Sequence, residues 1–126
     1  MKAQELANAV ARLILDKRGR DIVVLDMRRV TSMTDFFVIC TVDADVQAKA
    51  VVEHIREELI KQSIKPWHTE GLGSSSWVLM DFVDVVVHVF QQESRSFYNL
   101  ERLWGDAIKT EIKDDHETAA IHSKHT

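Results

Sequence analysis

Residues 35–41 (Asp35-Phe36-Phe37-Val38-Ile39-Cys40-Thr41) carry five consecutive apolar side chains in a run too short for an ordinary helix. Successive side chains of a strand point to opposite faces, so an uninterrupted apolar strand needs cover on both. That requirement places the run inside a sheet packed between other elements. Ile22-Val23-Val24-Leu25 reads as a second buried strand. Residues 77–83 and 85–91 read as consecutive strands of a hairpin turning near residues 82–84, and residues 64–69 as an edge-like strand, because Pro66 cannot donate to a ladder.

Helical spacing occurs in three places. Leu6, Val10, Leu13 and Ile14 recur over residues 3–18, with Gly19 as a stop. Residues 44–62 set Val51, Val52, Ile55, Leu59 and Ile60 on an inner face, opposite a solvated face of Lys49, Glu53, Arg56 and Glu57, with Asp43 as the predicted N-cap. Ser94 opens a third pattern, in which Phe97, Leu100, Leu103 and Trp104 recur before Gly105. The helix that carries Phe97 and Leu100 is expected to pack them into the core. The resulting order predicts an α/β fold with a mixed β-sheet flanked by helices, the hairpin supplying antiparallel pairing and the helical crossover allowing a parallel pair.

A length of 126 residues with one Pro and four Gly suits a single domain, predicted over residues 1–112. Residues 113–126 are polar and unpatterned and are expected to form a disordered tail. Cys40 is the lone cysteine and lies within the apolar run, so it reads as a small packed hydrophobe and not as a reactive thiol. No apolar stretch approaches the roughly 20 residues needed to span a bilayer, and the N-terminal residues do not read as a signal peptide, so the expected location is cytoplasmic. The formal charge of −4 argues against a broad phosphate-binding surface, so direct DNA binding is not expected and any rRNA contact should be minor.

Few residues are arranged for chemistry. Gly71-Leu72-Gly73-Ser74-Ser75-Ser76 is rich in glycine and serine, yet it runs into a strand pattern and lacks the following Lys of a phosphate loop. Asp81 and Asp84 would suit a two-metal site only if they converged, and at i and i+3 a regular strand points them apart. His88 shares a strand face with Val86 and Phe90 and has no sequence-local catalytic partner. The other histidines lack zinc-ligand spacing, so neither metal nor cofactor is expected. Residues 95–106 are different: Tyr98 and Trp104, beside Arg95 and Arg102, are the residue types that dominate binding hot spots.

Leu25-Asp26, Thr34-Asp35-Phe36-Phe37-Val38-Ile39, Glu70-Gly71, Trp77-Val78-Leu79-Met80-Asp81, Val87-His88-Val89-Phe90 and Tyr98-Asn99-Leu100-Glu101-Arg102-Leu103-Trp104-Gly105-Asp106 resemble, in collinear order over about residues 3–108, the Iojap family of bacterial ribosomal silencing factors. The resemblance implies a nucleotidyltransferase-like core without established catalysis. It also implies a translation repressor that binds the large ribosomal subunit through its protein uL14 and sterically blocks joining of the small subunit. The implied contact set is Trp77, Asp81, His88, Tyr98, Leu100, Glu101, Arg102 and Trp104. In it Trp77 and Tyr98 anchor, Arg102 and the carboxylates orient, and Trp104 is a candidate for locking the terminal helix.

Two departures from the family pattern stand out. Val42-Asp43-Ala44 replaces a usual Gly-Asn-Ser before the central helix, which transfers the expected cap to Asp43, and the turn after Asp81 lacks its usual glycine and is expected to be longer or strained. Two other readings stay open on the residues alone. One is a nucleotidyltransferase-like enzyme using Asp81 and Asp84. The other is a self-associating scaffold, with a homodimer formed through an exposed apolar face.

Overall fold

The computed structural model describes residues 1–113; the predicted tail, apart from Lys113, lies outside the described residues. The chain runs α1 (Ala3–Asp16), β1 (Arg20–Asp26), β2 (Phe36–Val42), α2 (Asp45–Ile60), β3 (His68–Glu70), β4 (Trp77–Asp81), β5 (Val85–Gln91), α3 (Gln92–Tyr98), α4 (Leu100–Leu103) and β6 (Ile108–Ile112). The six strands form one mixed sheet in the order β3-β4-β5-β2-β1-β6. Only β2 and β5 pair in parallel, from Phe36↔Val85 to Val42↔Gln91; the other neighbours are antiparallel. Pro66 falls before β3, which is the three-residue edge strand. Among the described residues no helix is long and apolar enough to cross a membrane.

Both long helices lie on the same face of the sheet. Leu6, Val10 and Ile14 of α1 and Val51, Ile55 and Leu59 of α2 are buried with Val24, Val38, Met80 and Val87. Ala48 is buried on this side of α2, whereas Ile60, expected on the inner face, is 42% exposed. Gly19 is required for space: a Cβ there would overlap the side chain of Ile14, while the left-handed position after α1 is taken by Arg18 at φ 62°.

The start of α2 corrects the expected cap. Ala44 occupies the N-cap position and supplies no side-chain hydrogen bond, and the Asp43 carboxylate instead accepts from Nε and Nη2 of Arg20 at 3.1 and 2.9 Å. Gln47 compensates in part, its Oε1 accepting from Asp43 N at 2.7 Å and its Nε2 donating to the carbonyls of Lys17 and Arg18. A missing cap costs about 1 kcal/mol, whereas each buried aliphatic side chain of α2 contributes about 1.5–3 kcal/mol, so burial decides that the helix forms.

The β4–β5 connection is strained, as the absent glycine implied. Asp84 N donates to Phe82 O at 2.9 Å across Val83, which sits at φ 74°. This is the rare γ-turn, and a β-branched residue suits it poorly. Asp81 Oδ1 steadies the turn by accepting from Val83 N at 2.7 Å.

The third predicted helix is not continuous. Asn99 adopts φ 45° and breaks it into α3 and the single turn α4, whose first turn its side chain caps by accepting from Arg102 N. The break resets the helical phase, so Leu100 and Trp104 turn inward while Phe97 (80% exposed) and Leu103 (69%) face out. The expectation that Phe97 packs into the core is therefore overturned. β6 had no sequence signature; it pairs antiparallel with β1, from Ile22↔Ile112 to Asp26↔Ile108.

Each departure from the family pattern should be measurable. Ala44→Ser and Val83→Gly are each expected to raise the unfolding free energy by about 1 kcal/mol, the first by capping α2 and the second by relieving the turn. Urea denaturation of the two variants checks this, and no change in midpoint for either would contradict the assignment of cap or strain.

Candidate functional site

Among the described residues, the second face of the sheet is only partly covered. Val23, Leu25, Ile39 and Phe90 are buried there beneath Leu100, Trp104 and Ala107. Strand register fixes the rest: Trp77↔Phe90, Leu79↔His88 and Asp81↔Val86 pair across β4–β5, and Phe37↔Val86 and Ile39↔His88 across β2–β5. Alternation from these pairs puts Phe37, Trp77, Leu79, Asp81, Val86, His88 and Phe90 on one surface.

The surface is organised around one hydrogen bond, from Trp77 Nε1 to His88 Nδ1 at 3.1 Å. Because the indole can only donate, Nδ1 must accept, and the imidazole proton resides on Nε2. The Trp77 ring stacks on Phe90 (5.0 Å, 25°) and lies tilted against Tyr98 (4.5 Å), and Phe37 packs edgewise against both His88 (4.6 Å) and Trp104 (6.3 Å). Gly71 permits this placement, since at φ 92° it lies so close to the Trp77 carbonyl that a Cβ would overlap it. Burial pushes the His88 pKa down to about 3, so the ring is neutral at ordinary pH.

The C-terminal segment is held by a second device. Arg95, its side chain 11% exposed, donates through Nη1 to the Asp21 carbonyl (2.6 Å) and Thr41 Oγ1 (2.9 Å) and through Nε to Glu101 Oε1 (3.0 Å), with Nη2 in ion-pair contact with the same oxygen at 2.9 Å. Lys109 of β6 reaches the other Glu101 oxygen at 3.1 Å. Burial raises the Glu101 pKa, but the hydrogen bonds from Arg95 and Lys109 outweigh it and hold the carboxyl below its ordinary range. Arg95 thus joins α3 to β1, β2 and α4.

The structure therefore sorts the predicted contact residues. Trp77, His88, Tyr98, Leu100 and Trp104 are brought together around the aromatic surface, Tyr98 half-exposed at 49% and His88 buried at 3%. Asp81 lines a cleft of about 610 Å³ beside them. Glu101 is engaged in the Arg95 clamp, and Arg102 is exposed on α4. Sequence reasoning missed Met33 (86% exposed) and Trp67 (73%), which flank the same cleft with Phe37, Leu79 and Val86. For the last three, strand alternation with His88 was the available signal; Met33 and Trp67 lie in loops, where no periodicity marks a face.

Chemical groups are sparse. Among the described residues no three His, Cys, Asp or Glu side chains are grouped to hold a metal ion. Asp81 serves the hairpin turn, while the Asp84 carbonyl accepts from Asp35 N and Phe36 N. Cys40 is fully buried, which pushes its thiol up to about 12 and leaves it protonated.

Comparison with known proteins agrees with the resemblance. The family model described as "Ribosomal silencing factor during starvation" matches residues 1–126. The chain belongs to this family. It is 40% identical over 107 residues to the ribosomal silencing factor RsfS of Bacillus subtilis, covering 85% of this chain and 91% of that one. It is 37% identical over 109 residues to the chloroplastic protein Iojap of Zea mays, covering 86% of this chain and 47% of the plant protein. A crystal structure of a Chromobacterium violaceum protein, 34% identical, superposes with a TM-score of 0.80 over 83% of this chain and 88% of that one. The mixed sheet with its flanking helices is thus a fold this chain has in common with solved relatives.

The site's electrostatics generate two expected outcomes. An unfolded chain binds a proton at His88 near pH 6.5, whereas the folded protein excludes it until about pH 3. The stabilisation is complete above pH 6.5 and is lost as pH falls below it, by about 1.4 kcal/mol between pH 7.5 and 5.5. Urea titrations at those two values should show this loss, and His88→Asn should flatten it; an equal loss in the variant would rule out His88 as its source. Arg95→Ala should cost about 2–3 kcal/mol by stranding Glu101 and Thr41, against less than about 1 kcal/mol for Lys109→Ala at the more exposed end of the network. Thermal melts of both variants check the ranking.

Proposed function

We propose that the chain silences translation as a steric block. It docks on the large ribosomal subunit through the protein uL14 and occupies volume that the small subunit needs on joining. The observation that supports this best is the exposure of Met33, Trp67, Phe97 and Leu103 on the side of the sheet that the long helices leave free. Apolar side chains of that size are costly to leave in water, and an apolar area rimmed by polar groups marks a protein contact. Carboxylates of Glu70 and Asp81 lie at the cleft, and the chain as a whole carries −4, which suits a basic protein partner better than an rRNA backbone. The names of the relatives supply the ribosome as the target.

In this reading the binding surface is the mechanism, and no chemical step is required. Trp77 and Tyr98 form a rigid aromatic anchor, Trp104 and Leu100 fix the terminal segment beneath it, and Arg102 and Asp81 orient the partner. Glu101 acts through the Arg95 clamp by holding α4 in place.

Co-sedimentation with purified large subunits tests the proposal directly. Wild-type protein should sediment with them and should reduce subunit joining followed by light scattering. Tyr98→Ala should weaken binding about tenfold or more, the scale of a hot-spot truncation. A wild-type protein that stays in the supernatant would defeat the proposal, whereas unchanged binding by folded Tyr98→Ala would remove Tyr98 from the contact.

A further inference from the structure

Two residues that line the cleft each bury a polar atom with no hydrogen-bond partner among the described residues: Thr34 Oγ1 and His88 Nε2. Thr34 is 8% exposed and His88 3%. The Trp77 bond to Nδ1 commits Nε2 as a donor, while the Thr34 hydroxyl can donate or accept. Folded proteins pair nearly all such atoms, so two in one wall mark a place where a partner group belongs. The surrounding wall is apolar, made by Phe37, Leu79, Val86 and Trp104, and carboxylates of Glu70 and Asp81 line it as well. A volume of about 610 Å³ lies in the range of sites that enclose an organic group.

We propose that this cleft receives an apolar side chain of the docked protein, from a stretch flanked by Lys or Arg, whose main-chain carbonyl accepts from His88 Nε2–H. The inference rests on the docking reading above and specifies what the partner presents. Each element of that occupant answers a feature of the wall. The apolar side chain fills the space between Phe37, Leu79, Val86 and Trp104. The acceptor must be neutral: His88 stays uncharged, and Glu70 and Asp81 oppose a carboxylate. The same two carboxylates attract flanking cations. Nε2 is buried and the Phe37 ring is centred 4.6 Å from the imidazole, so occupancy entails a local shift of the cleft wall.

Imidazole ¹⁵N spectra of the full chain, titrated with acetyl-Lys-Leu-Arg-amide, read the contact without the ribosome. The His88 Nε2 resonance should move saturably, and acetyl-Glu-Leu-Glu-amide should need at least fivefold more peptide for the same shift. Val86→Phe, which fills the cleft from its wall, should abolish the response while leaving the Trp77 indole resonance in its bonded position. A His88 resonance that does not move, or moves equally in Val86→Phe, overturns the proposal. Hydroxyl-radical oxidation of Met33 and Trp67 in the complex with large subunits supplies the second arm, and both should be protected. A protein that co-sediments yet oxidises at Met33 and Trp67 as the free chain does overturns the cleft and leaves ribosome docking standing. Failure to co-sediment at all overturns docking and this inference with it.

Discussion

Six strands present two faces, and the two long helices of this chain both lie on one of them. On the other face, among the described residues, no long helix lies, and cover comes from Met27, Val30 and the segment after β5. The chain solves this with the left-handed Asn99, which splits the last helical segment and lets Leu100 and Trp104 descend onto Val23, Leu25, Ile39 and Phe90. Among the described residues cover ends there. The rest of the face is left as an aromatic surface with an adjoining cleft, and the candidate site is the product of that partial second layer.

Two polar devices keep that half-covered face ordered. The Trp77–His88 hydrogen bond fixes the tautomer of a buried imidazole and sets the plane on which Phe90 stacks and against which Tyr98 tilts. The Arg95 clamp ties α3 to β1, β2 and α4 through a guanidinium that uses three of its nitrogens. They differ in kind. Three hydrogen bonds and an ion pair at one largely buried cation make the clamp sensitive to truncation, whereas the indole–imidazole pair is neutral and gains its rigidity from packing.

Much of the architecture was legible because the deciding signals were local. The apolar run at residues 36–40 and the valines of residues 85–89 mark the two central, parallel strands, and the spacing of Val51, Ile55 and Leu59 marks the inner face of α2. Strand alternation also placed His88 with Val86 and Phe90. The features that escaped were decided by tertiary geometry. One residue at positive φ changed the phase of the last helix and exposed Phe97, which periodicity alone would bury. β6 carries Lys109, Thr110 and Glu111 in an exposed edge and has too little apolar content to announce a strand. Asp43 looked like a cap because its attraction to Arg20, from the far end of β1, is invisible in sequence. The proposed contact residues were chosen by type, and their division between clamp and surface needed the side-chain contacts.

The pairing of β6 with β1 also sets a schedule. Residues 22–26 on β1 wait for residues 108–112 to complete their ladder, and Lys109, which arrives with β6, supports the Glu101–Arg95 clamp. Contacts so distant in sequence form last, because the intervening chain must be ordered first. The helices and central strands can therefore assemble before the aromatic face acquires the support that β6 brings. The clamp beneath the aromatic face is thereby the part of the site most sensitive to loss of β6, since displacing that strand removes Lys109 from Glu101 and uncovers the edge of β1.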